Sequence, residues 1–267
     1  MPQDIDTNSE AKSSPLKAFL KSLLRRVGFD IVRYQPTGAR PINILDLAVR
    51  ARLVDNPDFL FLQVGANDGV RHDPIRDLVL EFQLRGILLE PLPDMFEELR
   101  ANYACQPQLQ LVNAAVSAGE EHLTLARFRA DAPVHDDLHG LASIDIGRIE
   151  EFARDRGLLE YVEQVQVECV TFEQLAADHD IASLDLLMID VEGHEWELLQ
   201  AAFQAGLKPV IVFMEFLHLS PLDRWNAEQL LADRGYDVTY TGIDLVGVQP
   251  FGPRRAEDSG SSRSDVG

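Results

Sequence analysis

Apolar positions along this chain change period repeatedly, and the changes mark out alternating strands and helices. Short apolar runs that stop at a glycine or an acid read as buried parallel strands. Five fit: Phe59–Val64, Gly86–Glu90, Leu109–Val116, Leu184–Asp190 and Val210–Glu215. Helical patterns run between them, from near Asp73 to Gln83, Pro93 to Tyr103, Gly193 to Ala205 and Asn226 to Arg234. Another helix opens at Thr171, with Gln174 at the spacing of a capping box. Glu121–Phe128 and Val165–Val170 read as additional strands flanking a loop rich in Gly, His and Asp, DAPVHDDLHGLAS. The last two strands, around Tyr236–Tyr240 and Asp244–Val248, are joined at Thr241-Gly242 as a hairpin. Strand–helix alternation predicts an α/β domain, a doubly wound and mostly parallel sheet with right-handed crossovers and an antiparallel edge strand. A ligand in such a sheet sits at the carboxyl ends of the strands, near the switch in strand order.

The ends differ from this pattern. Residues 1–14 are polar and expected to be disordered, as is the tail 253–267. Between Pro15 and Tyr34, Leu16, Phe19, Leu20, Leu23, Leu24 and Val27 recur at helical spacing, interleaved with Lys17, Lys21, Arg25 and Arg26. This basic amphipathic helix is expected to pack on the main domain, with weak peripheral contact to an anionic membrane as the alternative. The main domain is thus expected over 41–252, preceded by an N-terminal part, 1–40.

Charge narrows the partners. With 24 Lys and Arg against 44 Asp and Glu, the net charge is −20, and so acidic a surface disfavours a nucleic-acid substrate. Cys105 and Cys169 belong to no ligand-spaced set and read as buried thiols of a reducing compartment. No apolar run has transmembrane length and no signal-peptide pattern opens the chain, so a cytoplasmic protein is expected, with the inner membrane face as its peripheral option.

Three features carry chemistry. Gly65-Ala66-Asn67-Asp68-Gly69 directly follows the first strand, where glycines let the backbone approach a ligand and turn tightly. Glu90 closes the second strand about 20 residues on, the position of an acid that accepts ribose hydroxyls. Asp190-Val191-Glu192-Gly193-His194-Glu195 gathers three carboxylates and an imidazole at the end of the Leu184–Asp190 strand, where a catalytic cleft should lie.

FLQVGANDG, GILLEP, VNAAVS, GLASI and above all LMIDVEGHEWELLQ, in that order, resemble the motif series of FkbM-type methyltransferases from about Phe59 to Glu215. The resemblance implies a seven-stranded, Rossmann-like class I methyltransferase fold using S-adenosyl-L-methionine. It also implies O-methylation of a hydroxyl on a sugar, glycan or natural product. It would place Gly65, Asn67 and Gly69 around the methionine end of the cofactor, Glu90 on the ribose, Asn113 and Ala114 beside the adenine, and Asp190 facing methionine and acceptor. Asp68 stands where the family usually carries a hydrophobic residue.

An alcohol acceptor must lose its proton, so a base is needed. His194 and Asp190 are the first candidates, then Glu192 and His218; His135 and His139 in the loop are candidates for shaping the acceptor pocket. Asp190, Glu192 and His194 could instead hold a divalent cation, but no second ligand cluster is evident in the sequence and none is expected. Two rival classes use the same ribose acid. A nicotinamide oxidoreductase should show a tighter glycine fingerprint, and a non-catalytic adenosine-binding module needs no crowd of acids after Ile189.

Overall fold

The computed structural model of the protein describes residues 42–135 and 138–250. The basic segment 15–34 and the tail from residue 251 lie outside the described residues.

Seven strands form the main sheet: β1 (Leu60–Val64), β2 (Arg85–Leu89), β3 (Leu109–Val112), β8 (Leu186–Ile189), β9 (Ile211–Glu215), β10 (Asp237–Thr241) and β11 (Asp244–Val248). Their order is β10-β11-β9-β8-β1-β2-β3. The five strands from β9 to β3 run parallel, and β11 is antiparallel to both of its neighbours. The hairpin expected at the C-terminal edge is present, with its second strand, β11, the inner one.

Both faces of the sheet are covered, which is why its central strands are apolar at nearly every position, Gln63 in β1 and the terminal Glu215 of β9 excepted. Leu62, Val64, Leu187, Ile189, Val212 and Met214 point to one side, against helices α5 (Phe172–Asp178), α6 (Glu195–Gln204) and α7 (Pro221–Asp233). Phe61, Leu88, Leu186, Met188, Ile211 and Phe213 point to the other, against α1 (Ile44–Asp55), α2 (Arg76–Phe82) and α3 (Pro93–Asn102). The chain moves outward from β1 to β2 and β3, then returns to lay β8 on β1's free side. The switch point lies between the carboxyl ends of β1 and β8.

A second sheet, order β4-β7-β5-β6, is built from β4 (Ala115–Val116), β5 (His122–Phe128), β6 (Ala142–Ser143) and β7 (Val162–Val170). It revises the expected run Leu109–Val116, which breaks at Asn113-Ala114. The Asn113 amide donates to the carbonyls of Glu90 and Pro91 (2.8 and 3.1 Å), and the chain beyond it leaves the main sheet to pair with β7. Val165–Val170 is the latter part of the longer β7, antiparallel to β5.

Two helices have no counterpart in the hydrophobic pattern. Asn43 caps α1, its side chain accepting from the Asp46 amide. The far end of α1 is fastened by buried Asp185, which accepts from Arg52, Asn56 and the Leu60 amide. The other is α4 (Ile146–Arg154), capped by Asp145. Helix α7 starts ahead of the expected Asn226, because Ser220 caps it and Pro221 fits the first turn, where no amide is needed. Helix α2 starts later than Asp73, whose carboxylate accepts from the Ile75 amide and the Tyr103 hydroxyl and so holds a turn. Cys105 is exposed and Cys169 half-buried, not the buried pair expected; Cys105 lies in the turn that follows α3.

Candidate active site

The loop after β1 is shaped by close approach. Gly65 has φ 86°, and a Cβ there would lie 1.8 Å from the carbonyl oxygen of Asp190, so only glycine lets this loop touch the end of β8. Asn67 is also left-handed (φ 50°), a conformation asparagine tolerates better than most residues. Its amide donates to Glu90 Oε2 (2.9 Å), and the Leu92 amide donates to Glu90 Oε1 (2.8 Å). Each oxygen of this buried carboxylate therefore holds one amide and keeps capacity for another donor. Burial pushes Glu90 up to about 7, against the pull of the two amides and of Arg127.

The other residues of the first loop are less directly placed. A Cβ on Gly69 would lie 2.6 Å from Leu99 Cδ1 and closer still to the Tyr103 ring, so this glycine lets α3 pack on the loop from behind. Asp68 is buried; burial would raise it, but the Arg71 and Val70 amides and the Arg71 guanidinium hold it below the usual range. Its role is to tie the loop, and Asn113 similarly braces the end of β2. Ala114 does line the cleft, beside Pro91, Ala115 and Val116.

The opposite half is made of acids. Asp190 follows β8, open to the cleft yet ringed by protein, and accepts no hydrogen bond from a described residue. Burial, then Glu192, Glu195 and Asp244, push it up to about 7. Glu192 sits in the left-handed region at φ 64°, a strained position for a non-glycine residue. Arg148 and Ser143 hold its carbonyl (2.5 and 2.9 Å), while its carboxylate lies 3.3 Å from Arg148 Nη2 and 3.1 Å from His218 Nε2. Burial raises the Glu192 carboxyl, with Arg148 opposing. Burial, Arg148 and Arg224 depress His218. Glu195, fully buried, accepts from the amides of Val191 and Gly193 and fixes the loop rather than facing a ligand. His194 lines the cleft from the start of α6, with Nδ1 3.4 Å from Glu197.

These halves face one another across a cleft of about 490 Å³, a volume suited to a small organic ligand. Leu123, Leu125 and Ala142 of the second sheet and Leu138, Gly140 and Leu141 of the loop before β6 close one side. His135 and His139 belong to that loop but not to the lining.

The structure adds residues that the sequence reading did not single out. Glu215, at the end of β9, is 8% exposed, and its Oε2 has no hydrogen-bond partner among the described residues. Burial, then Asp190 and its neighbouring acids, push it up to about 8. Asp244 opens β11 beside it, raised by burial to about 6. Glu215 obeys the rule that singled out Glu90, an acid closing a parallel strand; Asp244 reaches the same edge because β11 runs antiparallel to β9. Arg148 carried no such signal because α4 itself was not legible. Gln63, inside β1, is buried, lines the cleft and has an unpartnered Oε1.

No helix among the described residues is long and apolar enough to cross a membrane. The chain is similar to the 2-O-methyltransferase NoeI of Sinorhizobium fredii, 23% identical over 201 residues, which are 75% of this chain and 78% of that protein. A solved FkbM methyltransferase from Methylobacillus flagellatus aligns at TM-score 0.42 and 13% identity, over 71% of this chain. This chain spans only 43% of the Methylobacillus protein. An O-methyltransferase from Bacillus cereus, solved in complex with SAH, aligns at TM-score 0.40 and 12% identity, covering 91% of this chain and 94% of its own. The methyltransferase FkbM domain matches residues 63–238, the stretch that contains the glycine loop, Glu90, the acid cluster and Glu215. The chain belongs to the FkbM family of methyltransferases.

Proposed function

We propose that the protein transfers a methyl group from S-adenosyl-L-methionine to a hydroxyl of a sugar, glycan or related small molecule. One observation carries this reading: a buried, strand-end carboxylate, Glu90, and a second strand-end acid, Asp190, both line a cleft of cofactor size at the switch point. The residues fit the cofactor. Gly65 lets the first loop lie against the end of β8 and so shapes the floor of the cleft, Glu90 retains acceptor capacity for two ribose hydroxyls, and Ala114 with Val116 and Leu125 offers an apolar wall for adenine.

Held there by Glu90 and the loop after β1, the cofactor would supply an electrophilic methyl carbon on a sulfonium, with a neutral thioether as leaving group. An attacking hydroxyl would then have to give up its proton. Asp190 is the group placed to take it, since its carboxylate opens to the cleft with no described donor occupying it. Glu192 and His218 stand beside it, and Gly65 against the Asp190 carbonyl fixes the distance between the two halves.

NoeI, by its name a 2-O-methyltransferase, is the comparison that favours an oxygen acceptor. The location of the enzyme and any contact of residues 15–34 with an anionic membrane rest on sequence alone and belong to this proposal. Labelled S-adenosylmethionine, incubated with the full chain and with glycan and small-metabolite fractions, should give label stable to mild acid on a sugar hydroxyl. Label only on nitrogen or sulfur acceptors overturns the reading.

A further inference from the structure

We propose that Glu192, Glu215 and His218 form a binding site for a divalent transition ion, such as Mn²⁺, on the acceptor side of the cleft. This goes beyond the methyl-transfer reading and departs from the metal-free site expected from sequence, where Glu215 was not recognised as part of the cluster.

The three side chains come from two strand ends. Glu192 follows β8, Glu215 ends β9, and His218 follows it by three residues. One ligand atom from each, two carboxylate oxygens and an imidazole nitrogen, lie within 4.8 Å of one another. Ligands held about 2.1 Å from an ion are about 3.0 Å apart at right angles and about 4.2 Å apart when opposed. Glu192 Oε2 and His218 Nε2, 3.1 Å apart, already match the right-angle pair. The Glu215 oxygen lies no farther than 4.8 Å from either of them.

Glu215 is the independent sign that something is missing. A carboxylate that is nine-tenths buried normally has every oxygen bonded, yet Glu215 Oε2 is sealed from solvent and bonded to no described group. Asp190, Glu192, Glu195 and Asp244 all bear on it, and Arg148 is spent on Glu192. In that setting a bound cation would let Glu215 ionise and would occupy its free oxygen. An imidazole beside two carboxylates favours a first-row transition ion over calcium, which takes oxygen ligands only. Glu192's strained backbone fits the same account, because the conformation aims its carboxylate at His218 instead of solvent.

The ion's use in catalysis rests on the methyl-transfer reading: an acceptor oxygen bound to it would lose its proton to Asp190 more readily. Its binding does not rest on that reading and is tested separately. The full chain, stripped of metal by a chelator and dialysed, is titrated with Mn²⁺ while the electron paramagnetic resonance of free Mn²⁺ is followed. The expected result is one site per chain, weakened about tenfold or more in Glu215→Gln and in His218→Ala. S-adenosylhomocysteine affinity, measured on the same samples, should stay near wild type and so certify that both variants are folded. Wild-type protein that leaves Mn²⁺ free up to millimolar concentration overturns the proposal, as does Mn²⁺ binding that both folded variants retain in full. Loss of S-adenosylhomocysteine binding by wild-type protein would count instead against the function proposed above.

Discussion

The two walls of the cleft hold their charges in opposite ways. On the β1–β2 side, the Glu90 carboxylate is met by two backbone amides, the loop after β1 is pinned by Asp68 and the packing at Gly69, and Asn113 braces the end of β2. On the β8–β9 side, Asp190 and Glu215 are crowded by other acids and left without donors among the described residues. The first arrangement is that of a binding site, with its geometry set before the ligand arrives. The second stores unfavourable charge that an incoming proton or cation relieves, as expected where chemistry occurs. Substitutions on the two walls should therefore separate turnover from cofactor affinity.

The largest effect is expected on the acid wall. Asp190→Asn keeps the shape but removes the proton acceptor, and should lower methyl turnover by about a hundredfold or more. Its S-adenosylhomocysteine affinity should change by less than about threefold. His194→Ala should cost much less turnover, because its Nδ1 is turned towards Glu197. Equal losses in the two variants would move the base to His194 and blur the division between the walls.

A smaller effect belongs to the binding wall. Glu90→Ala removes hydrogen bonds to a charged acceptor, each worth about 1.5–3 kcal/mol, so calorimetry should show S-adenosylhomocysteine binding about tenfold or more weaker. The same carboxylate gives a pH signature. Burial raises it to about 7, and the protonated form has lost acceptor capacity for ribose. Affinity should therefore fall as pH drops through that value, by about tenfold from pH 8 to pH 6. Glu90→Gln should bind weakly at both pH values. A wild-type affinity that is flat with pH would mean that Glu90 does not hold the ribose.

Much of the fold was legible because the central parallel strands are dense in apolar residues and end abruptly at an acid, as at Leu186–Asp190 and Val210–Glu215. The second sheet was legible only in part: β5 and the latter part of β7 read as strands, whereas the irregular start of β7 and the two-residue β4 and β6 gave no signal. Nothing in Leu109–Val116 announces that Asn113 breaks the strand by bonding the carbonyls of its neighbour. At the site, Gly65, Asn67, Glu90, Ala114, Asp190, Glu192, His194 and His218 were legible from strand ends and from the family resemblance. Glu215 was read only as the end of a strand, although it follows the same rule as Glu90. Arg148 and Gly69's packing role depend on contacts between distant parts of the chain, which periodicity does not encode.

The central claim is that the two walls together form a methyl donor's cleft, and titration calorimetry on the full chain tests it most directly. S-adenosylhomocysteine should bind at one site per chain with an affinity that Glu90→Ala weakens, while NAD gives no heat of binding. Binding of NAD in place of S-adenosylhomocysteine would contradict it.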